Sequence, residues 1–251
     1  MNNIEKIKKR LKENAKKLCL QNQSENRRKK HKSAFVWDDV KMNFFEPSFL
    51  NINKNEKWLE RLKKQHTKVP DSLEMQSSNS SDALLMNIFC YPKILKWKGV
   101  RKLLKIEDKQ IIEFGKRFEI EGQFMAEVDM KIGNHIFEAK LTESNFTEET
   151  IEKIENYKDF VLVFESDLLL KNDTQYFNYQ LIRNILVAYY YNFSFTMICD
   201  ESRTDLIRSI FEITKAVKIE KLRKRINFIT WQEIVDVCGK ELKNFIENKY
   251  F

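Results

Sequence analysis

Three side chains within residues 126–141, AEVDMKIGNHIFEAKL, have the types and spacing to do chemistry: Asp129, Glu138 and Lys140. Two carboxylates and one ammonium on a common surface can hold a divalent cation together with a water or a phosphate group. The same stretch reads as the hairpin that would gather them. Val128, Met130 and Ile132 alternate with Glu127, Asp129 and Lys131, the period-2 pattern of a half-buried strand. Gly133-Asn134 is a two-residue loop with glycine first, which suits a type II′ turn. Folding there sets Ile132 against His135, Met130 against Phe137 and Val128 against Ala139 on a core face. Lys131 against Ile136, Asp129 against Glu138 and Glu127 against Lys140 then share the other face. Directly opposed like charges destabilise a strand pair, so Asp129 and Glu138 ask for something positive between them. On the residues alone two readings stay open. One is a cation site; the other is a solvated face where Glu127 and Lys140 make an ordinary cross-strand pair.

The elements around this hairpin follow from local patterns. Residues 71–81, DSLEMQSSNSS, read as a polar loop, and Ser81 or Asp82 can cap a helix over 82–89. Residues 99–106 read as a second helical piece. A first strand is expected over 117–121, ended at Gly122. A loop and helix start follow over 142–150, with Ile151, Ile154 and Tyr157 at helical spacing. The apolar run 160–164 fits either a strand or a buried helix. A helix is expected over 176–191, with Leu181, Ile182, Ile185, Leu186 and Tyr189 apolar, then a strand over 193–199. Gln180 and Arg183 lie one turn apart and share a helix face. Residues 203–251 read as an all-helical, locally basic tail.

Asp129, a hairpin and then Glu138-Ala139-Lys140 resembles the D…(D/E)-x-K core of the PD-(D/E)XK, or restriction-endonuclease-like, nuclease superfamily. Leu141-Thr142-Glu143 extends that core. SSDAL at 80–84 with NIF at 87–89, and YQLIRN at 179–184, are similar to one bacterial branch of it. The resemblance spans residues 80–205, and Val128 stands where the motif's name has Pro. It implies an α/β fold with a mixed sheet, an αβββαβ core at 80–205, a basic, mostly helical extension at 1–79 and a helical C-terminal tail at 206–251. It favours a helix for 160–164. It also implies a Mg²⁺-dependent DNA endonuclease, with Mn²⁺ able to substitute. Asp129, Glu138 and Ala139 would ligate the metal, and Lys140 would orient the attacking water. Glu119 would add an acid from the first strand. Gln180 would hold a water or phosphate and Arg183 a phosphate oxygen. Cutting both strands of a duplex favours a homodimer. The alternative on the same fold is a catalytically silent protein that binds nucleic acid or another partner.

Charge is concentrated at one end. Residues 1–32 carry 12 Lys/Arg and 3 Glu, a net of +9 against +8 for the whole chain. Ile4, Ile7, Leu11, Ala15 and Leu18 recur at three- and four-residue steps, so this arm can form a basic amphipathic helix. Arg27, Arg28, Lys29 and Lys30 follow as a basic run able to neutralise phosphates. The four cysteines are widely spaced, which fits reduced thiols better than a zinc site. His31, His66 and His135 form no metal-binding pair, and His135 falls on the core face. No glycine-rich phosphate loop occurs. Neither a leader-like apolar segment nor a run of about 18 apolar residues is present, so a cytoplasmic protein without a membrane span is expected.

Overall fold

The computed structural model describes residues 2–21, 33–66, 71–121 and 123–251. The basic run Arg27, Arg28, Lys29 and Lys30, and Gly122 as the end of the first strand, lie outside the described residues. The chain divides into two compact units: Met1–Gln110 with Gln232–Phe251, and Ile111–Trp231. The expected boundaries near 80 and 205 both fall inside these units. The helix expected to open the core falls in the first unit, and residues 206–231 fall in the second.

In the first unit the helices are α1 (Asn3–Gln21), α2 (Glu46–Ile52), α3 (Glu56–Leu62), α4 (Ser81–Phe89) and α5 (Lys98–Leu104). Ile7, Leu11, Ala15 and Cys19 are the buried stripe of α1, a strict four-residue repeat, whereas Ile4 and Leu18 at the edges are half-buried. Lys6, Lys9, Lys16 and Lys17 stay exposed. The α4 cap is Ser80, one residue earlier than expected; its hydroxyl accepts from the Ala83 N–H at 3.1 Å.

The second unit is built on a five-stranded mixed sheet of β1 (Ile112–Ile120), β2 (Gln123–Ile132), β3 (His135–Ala139), β6 (Ser194–Cys199) and β7 (Ile226–Thr230), in that order. The β1–β2 and β2–β3 pairs are antiparallel, and β3–β6 and β6–β7 are parallel. β4 (Glu148–Thr150) pairs with β5 (Gln175–Phe177) in a separate small sheet. Its helices are α6 (Ile151–Glu155), α7 (Phe160–Val163), α8 (Tyr179–Tyr190), α9 (Thr204–Ala216) and α10 (Glu220–Arg223). α11 (Trp231–Asp236) begins at the last residue of this unit, and α12 (Lys240–Tyr250) packs against α1 in the first.

The order of three strands, helix and strand is as expected, and residues 160–163 of the apolar run are helical, with Phe164 extended and bridged to Val217. Two strand expectations are corrected. β1 starts five residues before Arg117, and β7 interrupts what was expected to be an all-helical tail. The hairpin register holds at Ile132–His135, Lys131–Ile136 and Met130–Phe137. Gly133 has φ 55°, the left-handed value that a type II′ turn requires at its first central residue. Every residue of β3 is buried, because β3 is a central strand with both faces covered. Against one face, α8 contributes Leu181, Ile182, Ile185 and Leu186 to a core with Phe195, Met197 and Cys199 of β6 and Leu206, Ile210 and Ile213 of α9. Among the described residues no helix is long and apolar enough to cross a membrane.

Candidate active site

The site forms where β3 leaves β2. Their ladder ends at Met130–Phe137, while β3 continues beside β6 to Ala139–Ile198, and the Lys140 N–H then donates to the Ile198 carbonyl at 2.8 Å. The expected Val128–Ala139 and Asp129–Glu138 rungs are therefore absent from the ladder. Instead the Asp129 carboxylate takes the place of a strand partner, its Oδ2 accepting from the Ala139 N–H at 2.7 Å. Opposed carboxylates would repel in a regular rung, and a charged acceptor on an amide is a strong bond, so opening the ladder serves both groups.

Glu138 and Lys140 form a buried ion pair, with Lys140 Nζ 2.8 Å from Glu138 Oε1 and side-chain exposures of 2% and 7% for the acid and the base. Lys140 Nζ also donates to Gln180 Oε1 at 2.8 Å and lies 5.5 Å above the Phe146 ring. The expected Glu127–Lys140 pair does not form, because Glu127 is ion-paired with Arg117 at 3.1 Å across the β1–β2 edge. The Lys140 backbone is held on both sides, as its carbonyl accepts from Trp231 Nε1 at 2.9 Å. Burial works against the ammonium, but the charges of Glu138, Glu143 and Asp129 outweigh it and hold the lysine above its ordinary pKa. Lys140 is thus a cation throughout the neutral range. Glu143 also pins the turn after the motif, its Oε2 accepting from the Leu141 N–H at 2.6 Å.

One face of α8 serves this pair. Gln180 reaches Lys140, and Asn184, one turn on, donates from Nδ2 to Glu138 Oε2 at 2.9 Å. Asn184 is fully buried, and its Oδ1 has no hydrogen-bond partner. No role for Asn184 follows from the sequence pattern. Its signal is a polar residue inside the apolar run from Leu181 to Ala188, at the i+4 position from Gln180. Arg203, also missed, is fully buried. It grips Asp205 through both carboxylate oxygens at 2.9 and 2.8 Å and reaches the Leu141 and Ser144 carbonyls, bracing the loop behind Lys140.

Asp129, Glu138, Ala139, Lys140, Gln180 and Glu143 are brought together. Arg183 lies over the Tyr179 ring at 5.1 Å, with its Nε buried and unpartnered. Glu119 is exposed and stands apart. Gly115 is the β1 residue opposite Asp129, and Glu119 lies four residues further along, about 13 Å at the usual rise of a strand. His135 is structural as expected: it stacks on Phe137 and its Nε2 lies 2.7 Å from Thr196 Oγ1.

Among the described residues no three His, Cys, Asp or Glu side chains converge as a metal cage. The donors at the motif are two carboxylates and the Ala139 carbonyl, all hard oxygens. Such a set fits Mg²⁺, which keeps several waters rather than demanding an all-protein cage. Glu138 has both oxygens hydrogen-bonded, yet a carboxylate offers about four acceptor directions, so it can still ligate. The orphaned Asn184 Oδ1 beside it is an acceptor that a hydrated ion's surroundings would satisfy.

No curated protein and no solved structure matches the chain. Residues 10–251 match the family described as "Restriction Endonuclease associating with ARP", and with nearly all of its length covered the chain belongs to that restriction-endonuclease family.

Proposed function

We propose that this protein is a metal-dependent nuclease of the PD-(D/E)XK kind that hydrolyses phosphodiester bonds in DNA. The observation that carries the reading is the Lys140 ammonium, buried between Glu138 and Gln180 and within the field of Asp129. The family's description as a restriction endonuclease supports both the reaction and the substrate. Asp129, Glu138 and the Ala139 carbonyl would hold Mg²⁺, or Mn²⁺ in its place. Such a cation polarises a phosphoryl oxygen and lowers the pKa of water.

The chain's own groups do the rest. In the metal-free site the surrounding carboxylates hold Lys140 protonated, so it can serve as a donor. Of its three N–H donors, two go to Glu138 and Gln180, and the third can meet the attacking water or the phosphoryl oxygen that gains charge. Gln180 sets the direction of that ammonium. The exposed lysines of α1 would contact backbone phosphates and add salt-sensitive affinity. The family's description also names ARP as an associate, and a partner of that description belongs to this reading.

The test is cleavage of supercoiled plasmid, linear duplex and single strands with Mg²⁺, Mn²⁺ or EDTA, comparing wild type with Lys140→Ala. Metal-dependent products from wild type and none from the folded variant are expected. Equal cleavage by the two, or binding without cleavage under every condition, would overturn the reading; the latter outcome fits a silent nucleic-acid-binding protein on this fold.

A further inference from the structure

Asn184 sits at 0% exposure in the middle of α8, where its neighbours Leu181, Ile182, Ile185, Leu186, Val187 and Ala188 are all buried and apolar. Burying an amide there is costly unless both of its ends are satisfied. Only one end is. Nδ2 donates to Glu138 Oε2 at 2.9 Å, and Oδ1 is buried with no partner. The amide cannot be turned round to relieve this, since Oδ1 would then face a carboxylate oxygen with no proton between them. A hydrophobic residue of similar volume would carry no orphaned oxygen but would strip Glu138 Oε2 of its donor, so the asparagine is kept for what it does to Glu138 and not for packing alone.

We infer that Asn184 is a positioning residue for metal loading. Its Nδ2 fixes the rotation of the Glu138 carboxylate, and its Oδ1 accepts a hydrogen bond from a water in the same site when a divalent cation is present. The inference rests on the proposed function. Lys140 and Asn184 divide Glu138 between them, one oxygen each. Lys140 sets the charge of that carboxylate's surroundings, and Asn184 sets its orientation. Partners that orient a metal-binding side chain typically contribute 10- to 100-fold to metal affinity, roughly speaking.

The experiment is Mn²⁺ titration of the full chain by electron paramagnetic resonance of the free ion, together with thermal melting of each variant. Wild type, Asn184→Leu, Asn184→Ala and Glu138→Gln are compared. Asn184→Leu is expected to weaken Mn²⁺ binding about 10- to 100-fold; it removes the orphaned Oδ1 but also takes the donor from Glu138 Oε2, so it lowers the melting temperature as well. A purely structural role predicts lower melting with unchanged Mn²⁺ affinity, and that result overturns the inference. If Asn184→Leu does not fold, Asn184→Ala decides by the same criterion. Wild-type binding that Glu138→Gln abolishes but neither Asn184 variant alters refutes the role of Asn184 and leaves the proposed function standing. Wild type that binds no Mn²⁺, or binds it equally without Glu138, refutes the proposed function and the role of Asn184 with it.

Discussion

Lys140 and Glu138 should behave as one unit in unfolding experiments. Their charged atoms lie 2.8 Å apart and almost out of water. At an effective dielectric of about 20, Coulomb attraction at that distance is about 6 kcal/mol, and desolvation of the two ions offsets much of it. Removing one member strands the other, which typically costs about 3–5 kcal/mol. Glu138→Gln should fall near the low end, since Asp129, Glu143 and Gln180 remain around the ammonium. Lys140→Met should fall near the high end, because the buried Glu138 keeps Asn184 as its partner but loses its counter-charge. The double variant has no stranded charge, so it should lose only about 1–2 kcal/mol, far less than the sum. Urea unfolding at neutral pH, followed by circular dichroism, gives the four stabilities. Additivity within about 0.5 kcal/mol would refute the coupling and the buried ion pair behind it. All three variants should fail to cleave, which separates the stability of the motif from its chemistry.

Two further predictions concern the first unit. Lys249 is 2% exposed, donates only to the Asn43 carbonyl at 2.6 Å and lies 5.3 Å from the Trp37 and Phe245 rings; burial holds its pKa well below the usual lysine value. The unfolded chain therefore binds a proton that the folded one gives up, so this lysine costs stability at lower pH and the cost fades as pH rises. Lys249→Met should be more stable than wild type near pH 7, with the gap closing by up to about 1.4 kcal/mol per pH unit on going to higher pH. Urea titrations of both proteins at several pH values check this, and a gap independent of pH would contradict it. Replacing Lys9, Lys16 and Lys17 of α1 with alanine should weaken duplex binding and flatten its salt dependence, by up to about 0.9 in log–log slope for each lost phosphate contact. Fluorescence anisotropy across a salt series measures the slope, and an unchanged slope would remove α1 from the interface.

What could be read before the structure was local. The hairpin announced itself through strict alternation and a Gly-Asn turn, and its first three rungs follow from those two facts. The helix expected over 176–191 was equally plain except at its start, where Tyr176 and Phe177 belong to β5 and the helix begins at Tyr179. β7 was hidden because Ile226–Thr230 sits among lysines and arginines and is a strand only by pairing with β6, some thirty residues upstream. The start of β1 was masked by Gly115 and by charged residues that satisfy one another across the edge, as Glu113 does with Lys131 at 3.0 Å. At the site, the residue types were legible but their partners were not. Asp129 binding an amide depends on the ladder ending early, and Asn184 meeting Glu138 depends on how α8 is rotated over the sheet. Neither is a local property of the chain. Glu119 shows the converse, since a plausible acid on the right strand lies about 13 Å along it from the residue opposite Asp129.

The parallel pairing of β3 with β6 also sets when the motif can exist. Residues 129–140 can close their hairpin as soon as they are made, but the groups that hold Lys140 come from Gln180, Ile198 and Trp231. A chain emerging from the ribosome has the acids and the lysine long before it has the frame that fixes them. Contacts of this sequence separation also form slowly, because a long loop must close first. Assembly of the site is therefore a late event in biosynthesis, and a chain truncated before Ser194 would carry the whole Asp129–Lys140 motif without a working arrangement of it.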